Sequence, residues 1–340
     1  MKPSKTLFYR AGGILASMAL AAGLYAGLSA ERVTPRGGAL EKITIAGPLH
    51  IASTNILVAQ SKGLFRKYGL EVTLQNQSLG KFAVAAIVEG KADLAVTTEV
   101  PFVLAILRGN KLSLLATLYT AGAYDVIVAR QDRGVAAPDD LAGKKIGTPF
   151  GSSAHFFLDS FLTLLRVPAA GIEFIDLQSS DIVDALTSGR VDAVSTFPPY
   201  TLRLRALLAG RGIEFSDPAF SPISFNLVGT MDLVRKRPAT IRKLLRALLD
   251  AAEFTRAHPR EAHDIAADYL NLDRAEAAVV WDMGKFNISL SQSLLTMLEQ
   301  EAAWAIQRKL TTATTAPRFL DYIDADDLAA VMPTAVTLIR

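Results

Sequence analysis

The 340-residue chain contains no cysteine. That excludes disulfides, thiolate metal sites, cysteine nucleophiles and lipid attachment through cysteine. Net charge is also scarce. The 36 basic residues include Lys2, Lys5 and Arg10, so beyond residue 30 the chain carries 33 basic and 33 acidic residues. The formal charge of +3 therefore belongs to the first thirty residues. The remainder has no bulk attraction to nucleic acid or anionic membrane, and no nucleic-acid partner is expected. Histidine is rare, with four in the chain, and the two in "HPREAH", His258 and His263, stand five apart rather than at the i, i+4 spacing of a helical metal site. No catalytic constellation, cofactor motif or metal motif stands out, and an enzyme is not expected.

What is present starts with a leader. "MKPSKTLFYR" is basic, and Ala11–Leu28 is an uncharged run of 18 residues followed by polar, turn-rich "SAERVTPRGG". This is the pattern of an export signal. The run sits at the lower edge of what spans a bilayer, and Leu28 fits poorly at the −3 position of a cleavage site after Ala30. A cleaved signal peptide and a retained anchor over residues 1–30 are both open. In either case the remainder is expected to be exported.

Half of the residues are apolar and 20% are charged, enough for two lobes with their own cores. Strand-like and helix-like segments alternate from "EKITIAG" (Glu41–Gly47) onward. The alternation predicts α/β layering with a mainly parallel sheet. After Thr230 the pattern becomes amphipathic helix, broken at Pro259, with no competing strand expected.

One stretch is nearly said twice. "GKADLAVTT" (Gly90–Thr98) corresponds to "GRVDAVST" (Gly189–Thr196). Upstream, Pro48 matches Pro149, and Gly69–Leu74 matches Gly171–Leu177, so three successive βα units repeat. Gly90 and Gly189 are expected to stop helices. Asp93 and Asp192 are expected to accept backbone amides at strand starts. Ligands in such sheets bind beyond the carboxyl ends of strands. The loops at Ser53–Asn55, Thr97–Glu99, Gly151–Ser153 and Thr196–Phe197 are therefore expected around one cleft, with Thr97–Thr98 facing Thr196 across it. Ser152 or Ser153 can cap a helix whose free amides suit an acceptor group.

Five segments in order, "LVAQSKGLFRKYGLEVTL", "GKADLAVTTEVPFVLA", "LAGKKIGTPFGSSAHFFL", "ALTSGRVDAVSTFPPY" and "AAEFTRAHPREAHDIAADYL", resemble the substrate-binding proteins of ABC importers. The branch is the one for nitrate, sulfonates, taurine and thiamine precursors, and the resemblance runs from about Lys42 to about Leu310. It implies a type II periplasmic-binding fold: two α/β lobes, a two-strand hinge and a C-terminal helical layer. Lobe one would comprise 42–123 and 230–340, and lobe two 124–229. The crossovers would fall at Ala123–Asp125 and Leu227–Thr230.

The resemblance further implies a monomer that takes a small polar ligand and delivers it to an inner-membrane permease. Ser53, Thr54, Asn55, Thr97 and Thr98 would be ligand contacts in the first lobe. Ser152, Ser153 and His155 would lie at the helix-end site, and Thr196, Phe197 and Tyr200 would form a wall, with Phe197 where relatives carry Trp. The contact loops contain no Arg or Lys, while Glu99 could meet a ligand amine or ring N–H. That favours a nitrogen heterocycle or zwitterion over nitrate. Two rivals stay open: a membrane-tethered ligand sensor, and an enzyme like the pyrimidine synthases of this fold, whose cysteine-rich segment is absent.

Overall fold

A computed structural model of the chain describes residues 39–216 and 222–339. The leader, with its two alternatives, lies outside the described residues. Among the described residues, eleven strands form two sheets. They are β1 (Glu41–Gly47), β2 (Leu70–Asn76), β3 (Leu94–Thr97), β4 (Leu112–Ala121), β5 (Val126–Arg130), β6 (Lys145–Thr148), β7 (Glu173–Asp176), β8 (Ala193–Thr196), β9 (Gly212–Phe215), β10 (Ile223–Thr230) and β11 (Gly284–Ser289). The first sheet has the order β11-β4-β10-β3-β1-β2 and the second β7-β6-β8-β5-β9.

The internal repeat is visible in the pairing. β1 sits between parallel neighbours β2 and β3, and β6 sits between parallel neighbours β7 and β8. Beyond that core the sheets are mixed rather than mainly parallel. β3 pairs antiparallel with β10, and β8 antiparallel with β5. The reason is topological: the chain leaves the first sheet along β4 and returns along β10 in the opposite direction, which only antiparallel pairing allows.

The repeated stretch has the scaffold roles expected of it. Gly90 and Gly189 take φ of +70° and +80°, left-handed conformations that end their helices. The Asp93 carboxylate accepts the Thr44 N–H at 2.7 Å, and Asp192 accepts the Lys145 N–H at 3.0 Å. Each aspartate thereby ties the start of its own strand to the parallel neighbour.

β5 shows why the second sheet is buried on both faces. Val126 and Val128 point into one core with Val194 and Leu204, while Ile127 and Ala129 point into another with Phe157 and Leu162. The first sheet and the C-terminal helices share one larger core.

Two expectations are corrected. Leu227–Thr230 is not a crossover, because Leu227, Val228 and Gly229 pair with both β3 and β4, and Thr230 with β4, inside β10. The second passage between sheets lies earlier, between β9 and β10. The short, half-buried β9 has little apolar signature, which is why the apolar run after it reads as the end of the same lobe. The C-terminal region also holds a strand. The helix Arg274–Trp281 ends, and β11 adds to the edge of the first sheet against β4.

Gly284 starts that strand where nothing larger fits. A Cβ there would stand 2.3 Å from the Thr120 carbonyl and 2.4 Å from the Tyr119 ring. Gly284→Ala is expected to destabilise the protein by about 2 kcal/mol or more through backbone displacement. Chemical denaturation of the two proteins measures this directly.

Candidate functional site

Four helices begin at one cleft between the sheets. They are Gly80–Val88, Glu99–Leu107, Ser153–Leu164 and Tyr200–Leu208. Their N-cap residues, Leu79, Thr98, Ser152 and Pro199, all line it, and none makes a side-chain capping bond. Helix starts carry free amides and a partial positive charge, so they favour acceptor groups on a ligand without any cationic side chain. The cleft encloses a cavity of about 240 Å³.

Aromatic rings form its floor and one wall. Tyr124 and Phe197 lie nearly parallel, 17° apart with centroids at 6.4 Å. Phe225 meets Tyr124 edge-on at 5.5 Å and His50 at 4.6 Å, and Tyr200 meets Phe197 at 5.8 Å. His50 accepts the Ala52 N–H on Nδ1 at 3.1 Å, which places the proton of the neutral ring on Nε2. Burial pushes its pKa down to about 4, so it is neutral at physiological pH.

Polar groups come from both lobes. Asn76, Gln77, Ser78 and Thr98 face Ser152 and Ser153. Among the described residues, Lys81 is the one lining residue with a formal charge. Its ammonium donates to the Phe150 carbonyl on the opposite lobe at 3.1 Å.

Five of the residues expected from sequence line the cleft: Thr98, Ser152, Ser153, Phe197 and Tyr200. The others are nearby but turned away from it. Ser53 and Thr54 are buried and donate to the Pro48 and Ile51 carbonyls at 2.9 and 2.6 Å, and Asn55 donates to Leu118 at 3.3 Å. A short 3-10 turn over Ile51–Ser53 puts His50 at the cleft in their place.

Thr97 and Thr196 do not face each other across the cleft. Both are fully buried at strand ends with hydroxyls that have no partner. Alternation along a strand sends the next residue, Thr98 or Phe197, to the cleft. Thr97 is further covered by the start of a helix, where a Cβ on Gly80 would stand 2.3 Å from its hydroxyl. Glu99 is buried, and its carboxylate accepts the Ser224 N–H rather than reaching a ligand. His155 sits behind the cleft loop, accepting the Gly151 N–H at 3.3 Å and stacked on Phe150.

Sequence reasoning missed His50 as a lining residue, the Asn76–Lys81 loop, Tyr124 and Phe225. The loop follows a parallel strand's carboxyl end, so the rule applied to the other loops would have found it. Tyr124 and Phe225 lie in apolar runs, where a lining aromatic and a core aromatic look alike.

Behind the cleft lie three buried carboxyls without a basic partner. Burial pushes Glu99 up to about 7 and Asp125 up to about 8, the latter with a smaller contribution from the charge of Glu99. Burial likewise holds Glu301 well above the carboxylate range, with Glu99 and Asp125 adding to the effect, and its Oε2 has no partner. Asp125 connects to the cleft through Ser153, whose hydroxyl donates to it at 3.2 Å.

The folded protein therefore keeps protons that the unfolded chain releases near its ordinary carboxylate values. Above pH 6.5, where the depressed His50 and His155 no longer oppose this, stability falls as pH rises through about 8. The midpoint of thermal unfolding is expected to drop between pH 6.5 and 8.5, and Glu301→Gln is expected to flatten that slope. An unchanged slope in the variant would remove Glu301 from this account.

A family model described as NMT1/THI5 like matches residues 50–262. A protein of Brucella abortus (strain 2308), named as a binding protein, is 26% identical over 252 residues, covering 72% of this chain and 76% of that one. The riboflavin-binding protein RibY of Chloroflexus aurantiacus is 25% identical over 244 residues, 68% of this chain and 67% of its own. Among solved structures, the periplasmic aliphatic sulphonate binding protein SsuA of Escherichia coli matches with a TM-score of 0.70 at 20% identity, covering 83% of this chain and 97% of that one. The two-lobed architecture is thus the periplasmic-binding fold.

Proposed function

The chain belongs to the NMT1/THI5-like family, and on that premise we propose that it is the solute-binding component of an ABC importer. It captures a small polar ligand between its lobes in the periplasm and delivers it to a membrane permease. The observation that carries this is the cleft itself. It is lined from both lobes, and the helix starts and aromatic rings around it can bind a ligand. Closure around a ligand would add contacts from the second lobe, giving the differential affinity that shifts the population toward the closed form. Export fits relatives that are periplasmic, and among the described residues no helix is long and apolar enough to cross a membrane.

The lining also bears on the class of ligand. A planar ring can lie against Tyr124, Phe197 and Phe225 while its heteroatoms meet helix-start amides and the hydroxyl and amide side chains of both lobes. Lys81 is the single lining cation among the described residues, and it is already engaged by Phe150. This favours an uncharged nitrogen heterocycle over nitrate or a sulfonate. Glu99 no longer supports a ligand amine, because its carboxylate is committed inside the protein.

Calorimetry against riboflavin, substituted pyrimidines, taurine, aliphatic sulfonates and nitrate tests the reading. Binding of a ring compound in preference to the anions is expected, and folded protein that binds no member of the panel would count against it. For whichever compound binds, Phe197→Ala is expected to weaken affinity by roughly tenfold or more, since one stacked ring is lost from the wall.

A further inference from the structure

We propose that Asp159 is an interlobe latch, whose bonds to Trp304 and Arg308 set how readily the cleft opens; the proposal rests on the reading of that cleft as the binding site. Asp159 lies in the Ser153–Leu164 helix of the second lobe and is 5% exposed. Both of its carboxylate oxygens are taken by donors from the other lobe. The Trp304 indole Nε1–H donates to Oδ2 at 2.9 Å, and Arg308 Nη2 donates to Oδ1 at 3.0 Å. Trp304 lies in the helix Gln292–Gln307, which Arg308 ends, and this helix packs into the core of the first lobe through Leu294, Leu298 and Ala302. None of the three latch residues lines the cleft or lies in a passage between the sheets, so they tie the lobes at a further point.

The latch is connected to the ligand-facing loop. Trp304 meets His155 edge-on at 5.2 Å and Phe156 at 5.2 Å. His155 accepts the Gly151 N–H and stacks on Phe150, and Gly151 lines the cleft. At the mouth, Lys81 of the first lobe holds the Phe150 carbonyl. The segment 150–159 is thus held from the first lobe at both ends.

An opening motion that carries the Ser153–Leu164 helix away from the helix Gln292–Gln307 must do one of two things. It can pull the Ser153–Leu164 helix off its own sheet, or it can separate Asp159 from Trp304 and Arg308. The first route would strip Phe157, Leu158, Phe161 and Leu162 from the core of the second lobe. The latch is the weaker contact and gives way. Charge-assisted hydrogen bonds of this kind favour the closed arrangement before any ligand binds, and a ligand then adds to that preference.

Because the chain has no cysteine, fluorophores can be placed on Glu71→Cys in the first lobe and Ser180→Cys in the second, both exposed. Single-molecule energy transfer then reads the interlobe distance without ligand. Trp304→Phe, which keeps the ring but removes the N–H, and Arg308→Gln are each expected to raise the ratio of open to closed molecules roughly tenfold or more. Asp159→Asn is expected to do at least as much. If Asp159→Asn fails to fold, the two donor variants decide the matter. Unchanged distance distributions in folded Trp304→Phe and Arg308→Gln would overturn the proposal. A protein that bound none of the ligand panel but still opened in these variants would sink the binding reading and leave the latch standing.

Discussion

β4 carries the chain out of the first lobe and β10 brings it back, and their antiparallel pairing runs from Ala121 opposite Ile223 to Leu112 opposite Thr230. A buried polar network fixes this pair. The Thr117 hydroxyl donates to Asn226 Oδ1 at 2.8 Å, and the Ser224 hydroxyl bonds the same side chain. A satisfied network inside a sheet penalises a slip, because a shifted register would take the Thr117 hydroxyl away from Asn226 and leave it only Ser224 on its own strand. The pair also has a second consequence. Tyr124 follows the outgoing strand and Phe225 lies near the start of the returning one, so the strands that join the lobes deliver the aromatic floor of the cleft.

The electrostatics of the site follow from what is kept out of it. The acids closest to the cleft, Glu99 and Asp125, face inward, where burial favours their protonated forms. The one cation at the mouth is turned to a backbone carbonyl. What remains toward a ligand is helix-start amides, hydroxyls, side-chain amides and ring faces. Such a surface selects by shape and hydrogen bonding rather than by formal charge. The same arrangement makes the second lobe's Ser153–Leu164 helix do two things. Its first turn lines the cleft, and two turns further on Asp159 meets the first lobe.

Much of this was legible beforehand because it is local or periodic. The repeat places equivalent strands, glycines and aspartates in both lobes, where Gly90 and Gly189 end helices in left-handed conformations and Asp93 and Asp192 accept backbone amides at strand starts. The loops after parallel strands are legible for the same reason. Within a loop, however, sequence does not tell which side chain faces the cleft. Thr97 and Thr98 are adjacent and chemically alike, yet one lies beneath Gly80 and the other lines the cavity. His50 displaces Ser53, Thr54 and Asn55 because a single 3-10 turn rotates the chain at that point.

The sequence by itself determined the class of protein: two repeated α/β lobes, a largely helical C-terminal region, and no thiol. These follow from hydrophobic period, glycine placement and composition, which act over a few residues at a time. Only the tertiary structure decided where the chain returns to the first sheet, which aromatics are floor rather than core, and what Asp159 touches. Those depend on contacts between residues far apart in the chain, such as Asp159 and Trp304, and no local pattern encodes a partner at that separation.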